Sequence, residues 1–497
     1  MLGISYCLRK GVTILSKQGR WFLLSRFPLK ALALSPSLGP VLARAANQKR
    51  LDPLEMVTEL GREQAERLDR YLYQLVKRGF LEEAPDGALN DQEKLPKISV
   101  IIPVRNRPHD LARCLASLRR VAYPAGLMEI MVVDDASSDQ TPEVAQSFGA
   151  ATIINKNRQG ASRCRNLAAA QAKGDMLCFV DSDCTVRPDW LMELMRVMKD
   201  PAVTACGGLV DSSLAASALD RYERVMSSLR MGDRPNDSRL SDAFFYLPSC
   251  NLCVRSDAFR ELGGFNESME VGEDVDLCWR IIDSNGIVEY RPAAVVYHRH
   301  RNKVRAFCGR RFDYGTSEPL LQAMHPKRKK RMPLRPALLI FWGAVAAALT
   351  WHPAFWAVAA GWIALGGWRR RDKACQEGLP LPWLPALAAA LRVQISGLHE
   401  LASFGSRYYL LPMTLLAPLL PMVAALVWFA HLGVGLGRFL IKKPDLDLPR
   451  FLFFFSLEQL AYQTGVWFQC VKSSFFRPVF PSLIWPDARE LWNFLKA

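Results

Sequence analysis

At 497 residues the chain is too long for one ordinary domain and is sized for two to four units. Half of its residues are hydrophobic, unevenly placed, and its formal charge of +16 suits either nucleic acid or a membrane surface. The densest basic cluster, "HPKRKKRMPLR" (325–335), directly precedes a long apolar run. That position argues for a juxtamembrane anchor facing the cytoplasm and against a nucleic-acid partner. The twelve cysteines have no regular spacing. Cys250 and Cys253 form one C-x-x-C without a second pair at zinc-ribbon distance, which reads as two small core residues in a reducing compartment. The first sixteen residues lack an apolar core long enough for a signal peptide.

In chain order, "GVTILSKQGRWFLLSRFP" predicts a hairpin turning at Lys17-Gln18-Gly19. Helices follow in "LEMVTELG" and "AERLDRYLYQLVKRGFLEEAP", where Leu68, Leu72, Leu75 and Val76 share one face and Gly79 supplies the stop. This segment, 1–90, resembles a small winged-helix-like peptide-recognition module of the PqqD type. An unspecialised packing domain fits the same pattern. The polar, turn-rich stretch 84–97 is expected to be a linker. Beyond it, "ISVIIPV" (98–104) predicts a buried parallel strand. Strands in "MEIMVVDDAS", "ATIINK" and "MLCFVDSDCT" alternate with helices in "RPHDLARCLASLRRV" and "GASRCRNLAAAQAKG". That alternation indicates an α/β domain with a mainly parallel sheet.

The last third, 333–497, is expected to be a helical membrane-associated region. Residues 337–368 are thirty-two positions without formal charge, interrupted by His352-Pro353. They make either one kinked helix or two shorter segments forming a hairpin. A second span is expected at about 409–441, and the intervening "WLPALAAALRVQISGLHELASFG" suits the interface.

Three acidic clusters fall at predicted strand ends or the turns after them, where open α/β sheets bind ligands. They are Asp134-Asp135, Asp181-Ser182-Asp183 and Glu273-Asp274. Any one of them alone is weak, because Asp is common in turns and caps. Two apolar strands that both deliver acids to one edge form a stronger pattern.

Together "ISVIIPVRNRPHDLARCLASL", "VVDDASSDQT", "NKNRQGASRCRN", "FVDSDCTVRPDWL" and "GEDVDLCWR" look like the family 2 inverting glycosyltransferases, over about residues 97–305. The resemblance implies a catalytic domain (97–325) with the nucleotide-diphospho-sugar (GT-A) fold and a nucleotide-sugar donor. It implies Mg²⁺ or Mn²⁺ held by Asp183, with His298 as a further ligand and His300 second. It places Asp135 on the base, Asp181 near the ribose and metal, and Pro103 and Arg105 on the nucleotide pocket. Arg158 and Arg163 are candidates for the diphosphate, and Asn251 for the acceptor side. Asp274 is then the catalytic base that takes the acceptor hydroxyl proton, with Glu273 organising the site. The helix start is expected to keep Asp274 ionised. Asp276 and Arg280, four apart, read as a structural brace.

The region after Asp274 carries "RRFDYG" and no Q-x-x-R-W motif, so addition of one or a few sugars fits better than processive polymer synthesis. The whole arrangement is similar to that of family members acting in mycofactocin biosynthesis. This implies UDP-glucose as donor, a peptide-derived redox cofactor as acceptor and an inverting, β-forming outcome, while the apolar runs and the basic cluster before them predict a cell-membrane location with the catalytic domain on the cytoplasmic side. A lipid-linked or cell-envelope acceptor is the alternative. A non-catalytic nucleotide-sugar sensor is disfavoured, because it has no use for the base.

Overall fold

The structure is a computed structural model that describes residues 4–484, except 18, 27, 49, 54, 85–94, 301, 334–335 and 380. Gln18 at the expected hairpin turn, most of the expected linker and the last thirteen residues therefore lie outside the described residues. The chain packs as two compact units, one of Met1–Asp91, Lys329–Gly405 and Pro481–Ala497, the other of Gln92–Arg328 and Ser406–Phe480.

The second unit is built on a mixed sheet. Four strands are parallel and sit in the order Ala151–Ile154, Met128–Asp134, Ile98–Val104, Met176–Phe179. Leu252–Arg255 then adds antiparallel, followed by Val203–Ser212, Ile287–His298 and Cys184–Val186. Side chains alternate across the sheet. Ile98, Val100, Ile102 and Val104 join Leu111, Leu115, Trp190 and Leu194 on one face. Ile101, Met131, Val133, Leu177 and Phe179 join Ala168, Phe259, Leu277 and Ile281 on the other. A sheet covered on both faces is apolar at nearly every position, which explains the run Ile98–Val104, where the one polar residue, buried Ser99, donates to Glu129. This is the α/β core of the nucleotide-diphospho-sugar (GT-A) fold. Successive strands run outward from Ile98–Val104 to Ala151–Ile154, and the chain then returns to its other side with Met176–Phe179. The strand ends on either side of that reversal leave a crevice.

In the same unit, helix Val304–Met324 packs along helix Leu448–Ser473. Their backbones meet at two glycines: a Cβ added at Gly315 would collide with the Tyr462 carbonyl oxygen, and one added at Gly465 with that of Phe312. Backbone cannot yield as a side-chain tip can. Gly465→Val is therefore expected to cost about 1–3 kcal/mol or more and to lower the thermal unfolding midpoint by several degrees. An unchanged midpoint would refute this close contact.

In the first unit, strands Val12–Lys17, Arg20–Arg26 and Leu29–Leu34 form an antiparallel meander, the first two being the expected hairpin. Helices Leu38–Gln48 and Arg62–Arg78 follow, the latter closed by Gly79 in the left-handed region. Tyr6, Leu23, Leu42, Leu68, Leu72 and Leu75 form the core, with the Tyr6 hydroxyl donating to buried Asp69 at 2.7 Å. The unit is completed from far along the chain. Phe22 and Leu24 of the meander pack on Leu379, and Arg331–Pro333 pairs in parallel with Ser482–Ile484.

The apolar run at 337–368 breaks at Trp351–Ala354 into helices Pro336–Thr350 and Phe355–Gln376, the hairpin alternative. Their facing side chains Phe341, Ala344 and Ala359 pack together. The first helix has 15 residues, fewer than a span requires. The second expected span is shortened: Leu410–Leu415 is a separate short helix, and the apolar helix begins at Pro421. Among the described residues, Pro421–Lys442 alone is long and apolar enough to cross a membrane, by length and composition.

Candidate functional site

The three acidic clusters gather around the crevice. Asp135 follows strand Met128–Asp134, held at its root by its own N–H donating to the Val104 carbonyl at 2.8 Å. Its carboxylate accepts the N–H groups of Gln159 (2.7 Å) and Gly160 (2.9 Å) and the Asn155 amide (3.3 Å). Burial alone raises its pKa, but these donors outweigh it and hold the group below the usual range. Asp135 thus fixes the loop ahead of helix Ala161–Gln171. Pro103 is half-buried at the end of its strand, and Arg105 beside it is exposed. The next residue, Asn106, takes the left-handed conformation (φ 51°) and accepts the Ser138 N–H, joining the two loops that flank Asp135.

Asp181 and Asp183 lie between strands Met176–Phe179 and Cys184–Val186. One oxygen of Asp183 pairs with Arg107, and the other lies 3.4 Å from His298 Nε2. Asp183, Cys184 and His298 present ligand atoms within 4.8 Å of one another. A divalent ion bound at about 2.1 Å by two adjacent donors separates them by about 3 Å, so the Asp183–His298 pair fits one. The Cys184 thiol fits less well. Burial, with Cys250 beside it, pushes its pKa well up, and hard ions prefer oxygen donors. His300 lies behind His298, their Nδ1 atoms 3.2 Å apart, and is pushed down to about 3 by burial, with His298 and Arg311 adding. It faces Glu223 at 3.7 Å, within a buried network. Arg311 joins Glu223 (2.5 Å) to Glu458 (3.5 Å), which accepts the Tyr222 hydroxyl (2.5 Å).

Arg165 joins the second and third clusters. Its side chain is 3% exposed and donates to Asp181 at 2.6 Å and to Glu273 at 2.9 Å. Burial disfavours its charge, and the two carboxylates overcompensate, so it stays protonated. Asp181 is in turn held below its usual range: burial raises it, and Arg165 followed by His298 outweigh that. Glu273 also accepts the Ser249 hydroxyl at 3.4 Å.

Asp274 is the second residue of helix Glu273–Asp283, which follows Gly272 in the left-handed region (φ 86°). It accepts the N–H of Ser249 (3.1 Å) and of Val275 (2.8 Å). The expectation that the helix start keeps it ionised is corrected. Burial and the adjacent Glu273 charge push it up to about 7, outweighing both N–H donors and Arg165. A carboxyl group with that affinity is suited to accept a proton near neutral pH. Asp276 makes the expected brace. It pairs with Arg280 (2.7 Å) and His325 (2.9 Å), while Arg280 also donates to the carbonyls of Leu262 and Gly264.

Other expected residues have different surroundings. Asn251 is fully buried; its amide oxygen accepts the Trp190 indole N–H at 2.8 Å, and its NH₂ donates to the carbonyls of Leu209 and Ala294. Both its N–H bonds are spent inside the fold, so it braces strands where an acceptor contact was expected. Arg158 and Arg163 are exposed, the latter 3.9 Å from Glu267. The arginines that touch the acids, Arg107 and Arg165, were missed. Arg165 had a signal: it recurs with Ser162, Ala168 and Ala169 at helical spacing on the buried face.

Residues 99–263 match the family described as "Glycosyl transferase family 2". The chain is 30% identical over 391 residues to the pre-mycofactocin glycosyltransferase of Mycobacterium tuberculosis (strain ATCC 25618 / H37Rv), covering 76% of this chain and 80% of that one. It is 29% identical over 197 residues to glycosyltransferase AglE of Haloferax volcanii, covering 38% and 62% respectively. Among solved structures, the mannosyltransferase PcManGT from Pyrobaculum calidifontis, in complex with GDP-Man and Mn²⁺, aligns with a TM-score of 0.40 at 18% identity, over 67% of this chain and 96% of that one.

Proposed function

The chain belongs to glycosyl transferase family 2, and we propose that it transfers glucose from UDP-glucose, with inversion, to a mycofactocin-type peptide-derived redox cofactor, adding one or a few β-linked sugars. The observation that carries this reading is the placement of Asp274, a carboxyl group titrating near neutrality, one residue from Glu273 and through Arg165 beside Asp181. In the proposed step the acceptor oxygen attacks the anomeric carbon while its proton passes to an Asp274 oxygen. The bond from that carbon to the diphosphate oxygen breaks, and its electron pair leaves with UDP. Attack opposite the leaving group inverts the centre. Asp183 and His298 are the residues proposed to hold Mg²⁺ or Mn²⁺. When bound there, such an ion supplies charge stabilisation to the departing diphosphate. Glu273, fixed by Arg165 and Ser249, positions the helix start that carries the base.

The acceptor assignment draws on the similarity to the M. tuberculosis protein. The N-terminal meander and helices are proposed as the acceptor-recognition module. The exposed apolar helix Pro421–Lys442, with the basic cluster at 325–335, supports membrane attachment with the catalytic unit on the cytoplasmic side. The same helix favours a second reading, a lipid-linked acceptor. The test is to incubate the purified chain with UDP-glucose, other UDP-sugars or GDP-mannose, together with either a mycofactocin-type peptide acceptor or a polyprenyl phosphate, and to weigh the products. A hexose gained by the peptide acceptor from UDP-glucose is the expected result. Gain by the lipid alone supports the second reading, and transfer to neither refutes both.

Asp183→Ala is expected to weaken UDP binding in the presence of Mn²⁺ by about tenfold or more, the scale on which loss of even a supporting partner acts. Titration calorimetry with and without the ion reads this directly. Unchanged metal dependence would remove Asp183 from the ligand set.

A further inference from the structure

We propose that helices Pro336–Thr350 and Phe355–Gln376 form a re-entrant membrane anchor, which plunges its turn into one leaflet of an anionic bilayer and returns on the side it entered. This rests on the membrane reading above and specifies the surface responsible. Three observations on the first unit carry it.

The outward side chains are apolar where a water-facing hairpin has charges. Leu349 is 71% and Trp351 81% exposed at the turn, and Leu339, Ile340, Trp356, Val358 and Trp368 are exposed along the limbs. Positions 336–368 hold no Asp, Glu, Lys or Arg. A contiguous patch of this kind marks an interaction surface.

The turn's N–H groups are satisfied within the hairpin. Every N–H from Trp351 to Ala357 has an internal acceptor: Trp351 and His352 donate to the Ala347 carbonyl, Ala354 to His352 Nδ1, Phe355 to His352, Trp356 to Pro353, and Ala357 to Ala354. Pro353 has no N–H to satisfy. The Thr350 hydroxyl donates to the Ala346 carbonyl, and Trp351 stacks on Phe355 with centroids 5.6 Å apart. Only carbonyls are then left for interfacial water, which lowers the cost of placing this non-helical backbone at the acyl boundary.

Charge is confined to the other end of both limbs. Lys329 and Lys330 precede the first helix, and Arg369, Arg370, Arg371 and Lys373 close the second, against one acid, Asp372. Arg370, Lys373 and Arg392, against the single acid Glu377, also line a cavity of about 540 Å³ whose wall includes Leu24, Leu29, Leu379, Leu381 and Val393. Cations above an apolar wall suit the head and upper chain of an acidic phospholipid. Each uncharged limb is about 20 Å long at 1.5 Å per residue, short of the roughly 30 Å hydrocarbon core. Two short limbs with basic ends therefore enter and leave on one side.

The test places an environment-sensitive fluorescent amino acid, by codon suppression in the full chain, at position 351, 329 or 373 in turn. Each protein is bound to sealed phosphatidylcholine vesicles containing phosphatidylglycerol. At 351, iodide quenching is expected to fall about fivefold or more relative to vesicle-free protein, with quenching gained from acyl-chain doxyl lipid, as for a group buried in the acyl boundary. At 329 and 373, external iodide is expected to quench both without permeabilisation. A label at 351 that stays open to iodide while the protein floats with the vesicles overturns the anchor and leaves attachment through another segment standing. Failure to float at all removes the membrane reading as well. Labels at 329 and 373 on opposite sides show a span and overturn the re-entrant path. Equal insertion into pure phosphatidylcholine overturns the role given to the basic collar.

Discussion

Asp274→Asn is expected to reduce kcat by about 10²–10⁴-fold, the usual worth of a positioned general base, while the affinity for UDP changes little. The amide occupies the same volume, but it has no affinity for the acceptor proton, and its one oxygen keeps only one of the N–H groups of Ser249 and Val275, which bind different carboxylate oxygens. Nucleotide contacts are proposed for other residues, so binding and turnover separate. The wild-type profile carries the same signature. With the carboxyl group pushed up to about 7, kcat/KM should rise tenfold per pH unit below 7 and level above it. The stability linkage has a definite sign. The folded pKa lies above the unfolded value, so the protonated form stabilises the fold at low pH, and that contribution is lost as pH rises from about 4 through 7. The unfolding midpoint of the Asn variant should therefore gain on wild type across that window and hold its position above it. Turnover retained in the variant would show that another group takes the proton.

Arg165→Met is expected to be the most destabilising single change at the site. The guanidinium is shut away between Asp181 and Glu273, with its Cζ 5.4 Å from the Phe265 ring centre. Removing one member of a buried charge set leaves its partners desolvated and uncompensated, at a cost of about 3–5 kcal/mol. Asp181 should then lose the main influence that holds it ionised, so UDP binding fails with stability. Adding Glu273→Gln removes one stranded charge and should recover part of the loss, which distinguishes electrostatics from simple cavity formation. Denaturant unfolding of the single and double variants measures both. A loss below about 1 kcal/mol would mean that solvent screens the pair as it does an exposed one.

What was legible in the sequence followed from local rules. Unbroken apolar strands marked the sheet, and acids just past their ends marked the crevice. What escaped depends on contacts remote in the chain. Arg165 meets Glu273 across 108 positions, and Arg107 meets Asp183 across 76. Asn251 was placed on the acceptor side by the resemblance alone, yet Trp190 and two distant carbonyls consume its amide. The direction of the Asp274 shift was missed for a related reason. A helix start is visible in the sequence, whereas the desolvation that outweighs it comes from packing.

The long-range closure of the N-terminal meander has a consequence for synthesis. Phe22 and Leu24 are covered by Leu379, so that surface emerges from the ribosome more than three hundred residues ahead of its cover. At about 5–20 residues per second, it waits roughly 15–70 seconds while the rest of the chain is made. During that interval a three-stranded sheet shows an apolar face to the cytosol, where holdase chaperones bind. Slowing translation between positions 100 and 370 should therefore lower soluble yield unless such a chaperone is abundant.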